Sequence, residues 1–302
     1  MQIKSPVRLG LCCTFLNEPI KFRTTTVKSL SSLNTDDAKL KLSKICLNNA
    51  HELYRALEFC STHGIGCFRI NSQILPIKTH AEYGYDIYDI PDGENIVNQF
   101  KKCGQYSKTH GIRTSFHPDQ FVVMNSPNSN VVNSSIAELE YQAEIAEWVE
   151  ADVVNIHGGG GYGDKPKALS RFARNLDRLS DRVRKRLTIE NDDTTYTPSD
   201  LLPLCQTESI PLVYDIHHHR CNKDNISCED ATIKAIETWD REPMFHISSP
   251  RQGWNGPKPR QHHDHINLSD FPKHWLNLEL TVEIEAKAKE VAVLRLKKEL
   301  SI

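Results

Sequence analysis

Three imidazoles and three carboxylates recur at matching places in this sequence. Each directly follows an apolar or aromatic residue at or near the end of a short predicted strand: Phe116-His117, Ile156-His157, Ile189-Glu190, Tyr214-Asp215, Phe245-His246 and Ile284-Glu285. Taken singly, such a His is most often a hydrogen-bonded core or rim residue, and such an acid caps a helix or faces water. Six in one register are another matter. Gathered in one place they would repel one another or desolvate badly without a counter-charge. Divalent ions supply that charge, and mixed His and carboxylate donors suit Zn²⁺ or Mn²⁺. Two His-rich stretches offer more donors, His217-His218-His219 and His262-His263-x-His265, and one ligand is expected from each. Eight candidates exceed the about four donors that one zinc ion takes, so two or three ions sharing bridging carboxylates is the economical reading. Such clusters clamp phosphates and generate hydroxide for in-line displacement. The chemistry indicated is metal-assisted phosphodiester hydrolysis, with sugar isomerisation as its rival.

Strands and helices alternate around these residues. Strands are predicted over 7–12, 67–70, 113–116, 153–156, 187–189, 212–214, 244–247 and 280–284. Helices are predicted over 36–60, 93–109, 128–149, 166–182 and 231–239, with a charged C-terminal helix over about 286–300. Thr197-Pro198 opens a further helix, with Thr197 as N-cap and Pro198 at the first position. The helix over 231–239 follows Ser227-x-x-Asp230, which has the form of a capping box. Eight strands separated by helices, with no repeat or linker, indicate a single (β/α)8 TIM barrel spanning 1–302. A doubly wound open sheet is the alternative. In a barrel, all six strand-end residues share the C-terminal mouth, where such enzymes build their sites.

Composition narrows the class. The 302 residues carry 37 Lys plus Arg against 39 Asp plus Glu, a net charge of −2, which excludes a simple basic mat for nucleic acid. The basic residues Lys165, Lys167, Arg171, Arg220, Lys223, Arg251, Lys258 and Arg260 nevertheless follow strands on the ligand face, where they suit phosphate positioning. The glycines over 158–161 would let backbone approach phosphates closely, and Trp254 would stack on DNA or anchor its loop. Nine Cys, an odd number with no C-x-x-C, read as mostly free thiols in a reducing cytoplasm, with a weak zinc alternative at Cys221 and Cys228. No apolar run reaches the about 20 residues a membrane span needs. Residues 1–6 do not begin a secretory leader.

Eight short motifs carry a family resemblance. They are Arg8-Leu-Gly-Leu, Phe68-Arg-Ile-Asn-Ser-Gln-Ile-Leu-Pro76, Phe116-His-Pro-Asp-Gln-Phe121, Asn155-Ile-His-Gly-Gly159, Ile189-Glu-Asn-Asp192, Asp215-Ile-His-His218, Phe245-His-Ile-Ser-Ser-Pro250 and Ile284-Glu-Ala-Lys287. Together, in order from about residue 7 to about residue 290, they resemble the UV damage endonuclease family.

The resemblance implies a TIM barrel related to endonuclease IV and xylose isomerase. It implies a metal cluster, typically manganese, with zinc or magnesium as alternatives. It implies ATP-independent incision of double-stranded DNA on the 5′ side of cyclobutane pyrimidine dimers and 6-4 photoproducts. Its metal ligands would be His117, His157, Glu190, Asp215, His218, His246, His262 and Glu285, with Glu190 bridging two ions. Among these, Glu190, Glu285, His117 and His246 would carry catalysis. Gln120 and Phe121 would probe the helix at the lesion, and His80 would lie near the lesion pocket. Lys165, Lys167, Arg251 and Arg260 are the further DNA contacts expected.

Some positions depart from the family pattern. Phe121 stands where some members carry Tyr, and Met244 where some carry a carboxylated lysine. Leu11 and Phe15 replace Tyr and Asn of some members. The expectation is a monomeric cytoplasmic repair enzyme without membrane attachment, nucleoid-associated if bacterial. Its rivals are an abasic-site endonuclease of the endonuclease IV type, a sugar isomerase or epimerase, and a non-catalytic metal scaffold. None of the eight ligands is missing, which counts against the last.

Overall fold

A computed structural model describes residues 7–302. The residues read above for a leader, 1–6, lie outside that range. In chain order the elements are β1 (Arg8–Cys12), α1 (Val27–Ser31), α2 (Thr35–His63), β2 (Cys67–Ile70), α3 (Gly93–Thr109), β3 (Arg113–Phe116), α4 (Ser129–Trp148), β4 (Val153–His157), α5 (Lys165–Leu176), α6 (Asp181–Arg184) and β5 (Leu187–Glu190). They continue with α7 (Pro198–Glu208), β6 (Leu212–Asp215), α8 (Ile216–Cys221), α9 (Cys228–Ile236), β7 (Met244–Ile247), β8 (Thr281–Ile284) and α10 (Lys289–Leu300). Every strand pairs in parallel with the next, and β8 pairs with β1, so the sheet closes as the expected (β/α)8 barrel.

Local chemistry sets the element ends. The Asn34 side chain accepts the Asp37 N–H at the start of α2, and Gly64 ends that helix at φ 63°, a left-handed conformation that favours glycine. Thr197 and Asp200 form a reciprocal capping box at the start of α7. Strand residues such as Phe68, Phe116, Ile156, Ile189 and Phe245 are fully buried among apolar helix residues, and this contact holds the helical layer to the barrel.

Several boundaries differ from expectation for identifiable reasons. The helix over 166–182 is two helices, because the Glu140 carboxylate captures the Ser180 N–H at 2.9 Å and its hydroxyl at 2.7 Å. The C-terminal helix starts at Lys289, because the N–H groups of Lys287 and Ala288 bond the carbonyls of His263 and Asp264. His217–His219 lie on the short helix α8, capped by Asp215, rather than in a loop. Strands β4, β5 and β6 run on to include His157, Glu190 and Asp215, and His246 sits inside β7. All nine cysteines are free thiols. No helix among the described residues is long and apolar enough to cross a membrane.

Candidate metal centre

Closure of the barrel brings the six strand-end residues together at its mouth. The register places His157 beside Glu190 and Asp215 beside His246. Glu190 is the hub. Its Oε2 lies 3.1 Å from Nε2 of His117 and 3.2 Å from Nδ1 of His246, and its Oε1 lies 3.1 Å from Nδ1 of His218. Nδ1 of His218 is also 3.6 Å from Asp215, and Glu285 reaches Nδ1 of His246 at 3.5 Å and that of His262 at 3.7 Å.

Three sets of donor atoms each fall within 4.8 Å of one another: His117, His157 and Glu190; Glu190, Asp215 and His218; Asp215, His246 and Glu285. Glu190 and Asp215 belong to two sets each, the arrangement that bridging carboxylates require. Seven of the eight expected ligands therefore converge. His262 stands outside the triplets, near Glu285.

The donor set fits divalent cations on a second ground. Oε1 of Glu190, Oδ2 of Asp215, Nδ1 of His157 and both ring nitrogens of His246 are buried without a hydrogen-bond partner among the described residues. His117 bonds Oε2 of Glu190, whereas His218 and His246 approach Glu190 without a hydrogen bond to it. One such orphaned atom costs about 1–3 kcal/mol, and natural cores hold few. A cluster of them facing one another is what lone pairs aimed at shared cations produce.

Backbone and amide groups hold these donors. The Asp215 N–H bonds Oδ1 of Asn191, whose amide returns a bond to the Asp215 carbonyl. The His218 N–H occupies Oδ1 of Asp215 at 2.7 Å, which leaves Oδ2 free. Burial pushes the Glu190 carboxyl up, but His246 and His157 outweigh it and hold it well below the usual carboxylate range. Burial likewise raises Glu285, and Arg69 and His246 bring it well below that range. Desolvation lowers His157 despite Glu190, a shift toward the neutral imidazole that binds metal.

Of the first cluster only His218 joins a donor triplet, and of the second only His262 comes near one, beside Glu285. His217 packs against Trp254 and His262, with ring centroids 5.2 Å away in both cases. His219 points outward to the Tyr214 hydroxyl at 2.8 Å and Asp224 at 2.9 Å. Arg69, Asn155 and Glu283 were not foreseen. Asn155 donates to Glu190, while Arg69 bridges Glu285 at 2.7 Å and Glu283 at 3.3 Å. A signal existed for two of them. Side chains alternate along a strand, so Asn155 and Glu283 share the face of His157 and Glu285 two residues on. Met244 lies one layer below His246 and packs with Cys67 and Val153.

The expected DNA contacts divide. The Phe121 side chain is 75% exposed, Gln120 is exposed beside it, and Phe121 and His80 line a cavity of about 500 Å³ with Thr24, Thr79 and Tyr141. Lys167 and Arg251 are exposed and have no ion-pair partner among the described residues. Arg251 borders a second cavity of about 390 Å³ with Arg69, His262, Glu285, Lys287 and Lys289. Lys165 is tied to Asp200 at 2.8 Å, and Arg260 stands 3.7 Å from Asp193. Arg171 and Arg220 brace the carbonyls of Asn125 and Asp270. Trp254 is an anchor, because its indole N–H bonds Asp270 at 2.8 Å beneath Arg220. At Gly159, φ 82°, a Cβ would meet the Asn125 side chain at 2.3 Å, so packing within the protein already demands glycine there.

A parallel eight-stranded barrel with imidazoles and carboxylates converging at its C-terminal mouth is the class of protein these features define. Its fold matches that of endonuclease IV from Thermus thermophilus, with a TM-score of 0.63 and 14% identity over 97% of both chains. The particular family follows from the sequence: residues 7–302 match the family model described as UV-endonuclease UvdE, and the chain belongs to that family of DNA repair endonucleases. A UV DNA damage endonuclease of Bacillus cereus is 34% identical, over 92% of this chain and 89% of its own length. The crystal structure of SacUVDE superposes with a TM-score of 0.86 at 31% identity, over 98% of both chains.

Proposed function

We propose that this chain, acting as one catalytic domain, is a metal-dependent nuclease that cuts double-stranded DNA 5′ to UV photoproducts. The observation that carries the metal reading is the set of overlapping triplets centred on Glu190, with their partnerless buried donor atoms. His117, His157, Glu190, Asp215, His218, His246 and Glu285 would hold two or three ions, manganese by preference, with His262 completing the set beside Glu285. Bound there, divalent ions supply Lewis-acid charge and lower the pKa of a coordinated water.

The chain's own residues do the rest. Glu190 and Asp215, each in two triplets, keep the sites at fixed separation. Arg251, Lys167 and the cavity beside Glu285 place the phosphodiester at the centre. A hydroxide attacks the phosphorus in line with the bond to the 3′ oxygen. That bond breaks and the 3′ oxygen takes up the proton that the attacking water gave up, leaving a 3′-hydroxyl and a 5′-phosphate on the lesion side. Gln120 and Phe121 enter the helix at the lesion, where weakened stacking makes extrusion less costly. The exposed Phe121 ring beside the His80 cavity favours a bulky lesion over an abasic site.

Purified protein with Mn²⁺ and UV-irradiated supercoiled plasmid tests this. Selective nicking of irradiated plasmid is expected, and Glu190→Gln and Glu285→Gln should abolish it while DNA binding survives. Equal nicking of untreated plasmid refutes lesion specificity. A parallel duplex with one abasic site separates the two repair readings.

A further inference from the structure

A buried carboxylate lies one layer beneath the centre, and none of the roles above uses it. Glu283 is fully buried on β8, directly across from His246 in the β7–β8 register. Its two oxygens face different partners. Oε1 accepts the Ser115 hydroxyl, with the Cys67 thiol 3.9 Å away. Oε2 lies 3.0 Å from Nε2 of His246 and 3.3 Å from Nη1 of Arg69. The other face of His246 looks up, with Nδ1 toward Glu190 and Glu285.

We propose that Glu283 is a positioning residue for the metal centre: it takes the Nε2–H of His246 and so reserves Nδ1 as the metal-binding lone pair. The inference rests on the metal reading above. A neutral imidazole carries one N–H, and the group that accepts it decides which nitrogen is free for a metal. Of the two faces of His246, the lower one meets a carboxylate already anchored by Ser115 and lying outside every donor triplet. The upper one meets two carboxylates that belong to those triplets. Oε2 of Glu283 and Nε2 of His246 are both without an aligned partner, so a small rotation of the ring satisfies the two together. The same oxygen faces Arg69, which grips Glu285 through its other nitrogen. One carboxylate thus aligns a histidine donor and, through Arg69, a carboxylate donor on the neighbouring side.

The test is metal affinity of the intact chain, independent of cutting. Wild type, Glu283→Gln and Ser115→Ala are titrated with Mn²⁺ and Zn²⁺ against a chelator of known affinity, with folding of each metal-free form followed by circular dichroism. Glu283→Gln keeps the shape but loses the charge, and its metal affinity should fall about 10- to 100-fold. Ser115→Ala should fall far less. Wild-type affinity in folded Glu283→Gln overturns the proposal while leaving the metal reading intact. A wild-type chain that binds no metal overturns both. Should the variant fail to fold, ¹⁵N-His spectra of the Zn²⁺-loaded wild type decide: His246 protonated at Nε2 supports the proposal, and protonated at Nδ1 overturns it.

Discussion

The side-chain amide of Asn155 donates a 2.5 Å hydrogen bond to Oε2 of Glu190 on the neighbouring strand. Thr188 fixes the amide's orientation by donating to its Oδ1 at 3.0 Å. The bond pins one carboxylate oxygen and turns the other, which has no hydrogen-bond partner, toward the centre. Asn155→Ala frees Glu190 to rotate and leaves buried polar atoms unpaired. It should lose about 1–3 kcal/mol of stability and about 10- to 100-fold in metal affinity. Asn155→Asp sets carboxylate against carboxylate and should be worse. Elemental analysis and thermal melts check this, and undiminished metal content in either variant contradicts it.

Phe121 contributes little to the fold, because three quarters of its side chain is exposed. Phe121→Ala should therefore shift stability by no more than about 0.5 kcal/mol. If the ring stacks on a base, the same variant loses about 1–3 kcal/mol of binding to irradiated duplex, tenfold or more in affinity. Phe121→Trp should retain most of it. Equal affinity of wild type and Phe121→Ala for a dimer-containing duplex would remove the ring from recognition.

Metal should stabilise the folded chain, because the donors exist as a set only when the barrel is closed. At Mn²⁺ one hundred times its dissociation constant the gain is about 2.7 kcal/mol for each ion. That raises the melting temperature by several degrees in a chain of this size. A chelator should reverse the gain, and Glu190→Gln should show little of it. A melting curve indifferent to Mn²⁺ in the wild type would contradict this.

Cys228 should be the reactive thiol. The neighbouring His219 and Tyr214 side chains pull it down to about 7 against its partial burial, whereas burial pushes Cys46 and Cys221 up to about 11 and Cys103 and Cys205 up to about 12. The thiolate is the nucleophile and forms above the pKa. Alkylation of Cys228, followed by mass spectrometry, should rise through about pH 7 and then level off, with the four others slow throughout. His219→Phe should move the midpoint upward. A rate still climbing through pH 9 in the wild type would show that His219 does not hold the thiolate.

The six mouth residues were visible in sequence because each lies at or next to the C-terminal end of a short strand, and a closed barrel sends every such residue to one mouth. Helix caps at Thr197 and Ser227 were visible because capping is a matter of three or four neighbouring residues. The sequence alone thus determined the alternating architecture, the chemical type of the centre and the family. Tertiary structure decided the contacts that join distant strands. Which of His217, His218 and His219 turns inward depends on α8 and on the Asp215 oxygen that caps it. Asn155, Arg69 and Glu283 gained roles only because closure sets β4 against β5 and places β2, β3 and β7 around one carboxylate of β8. Local periodicity names the face a side chain lies on; only closure of the sheet determines which distant side chain it meets there.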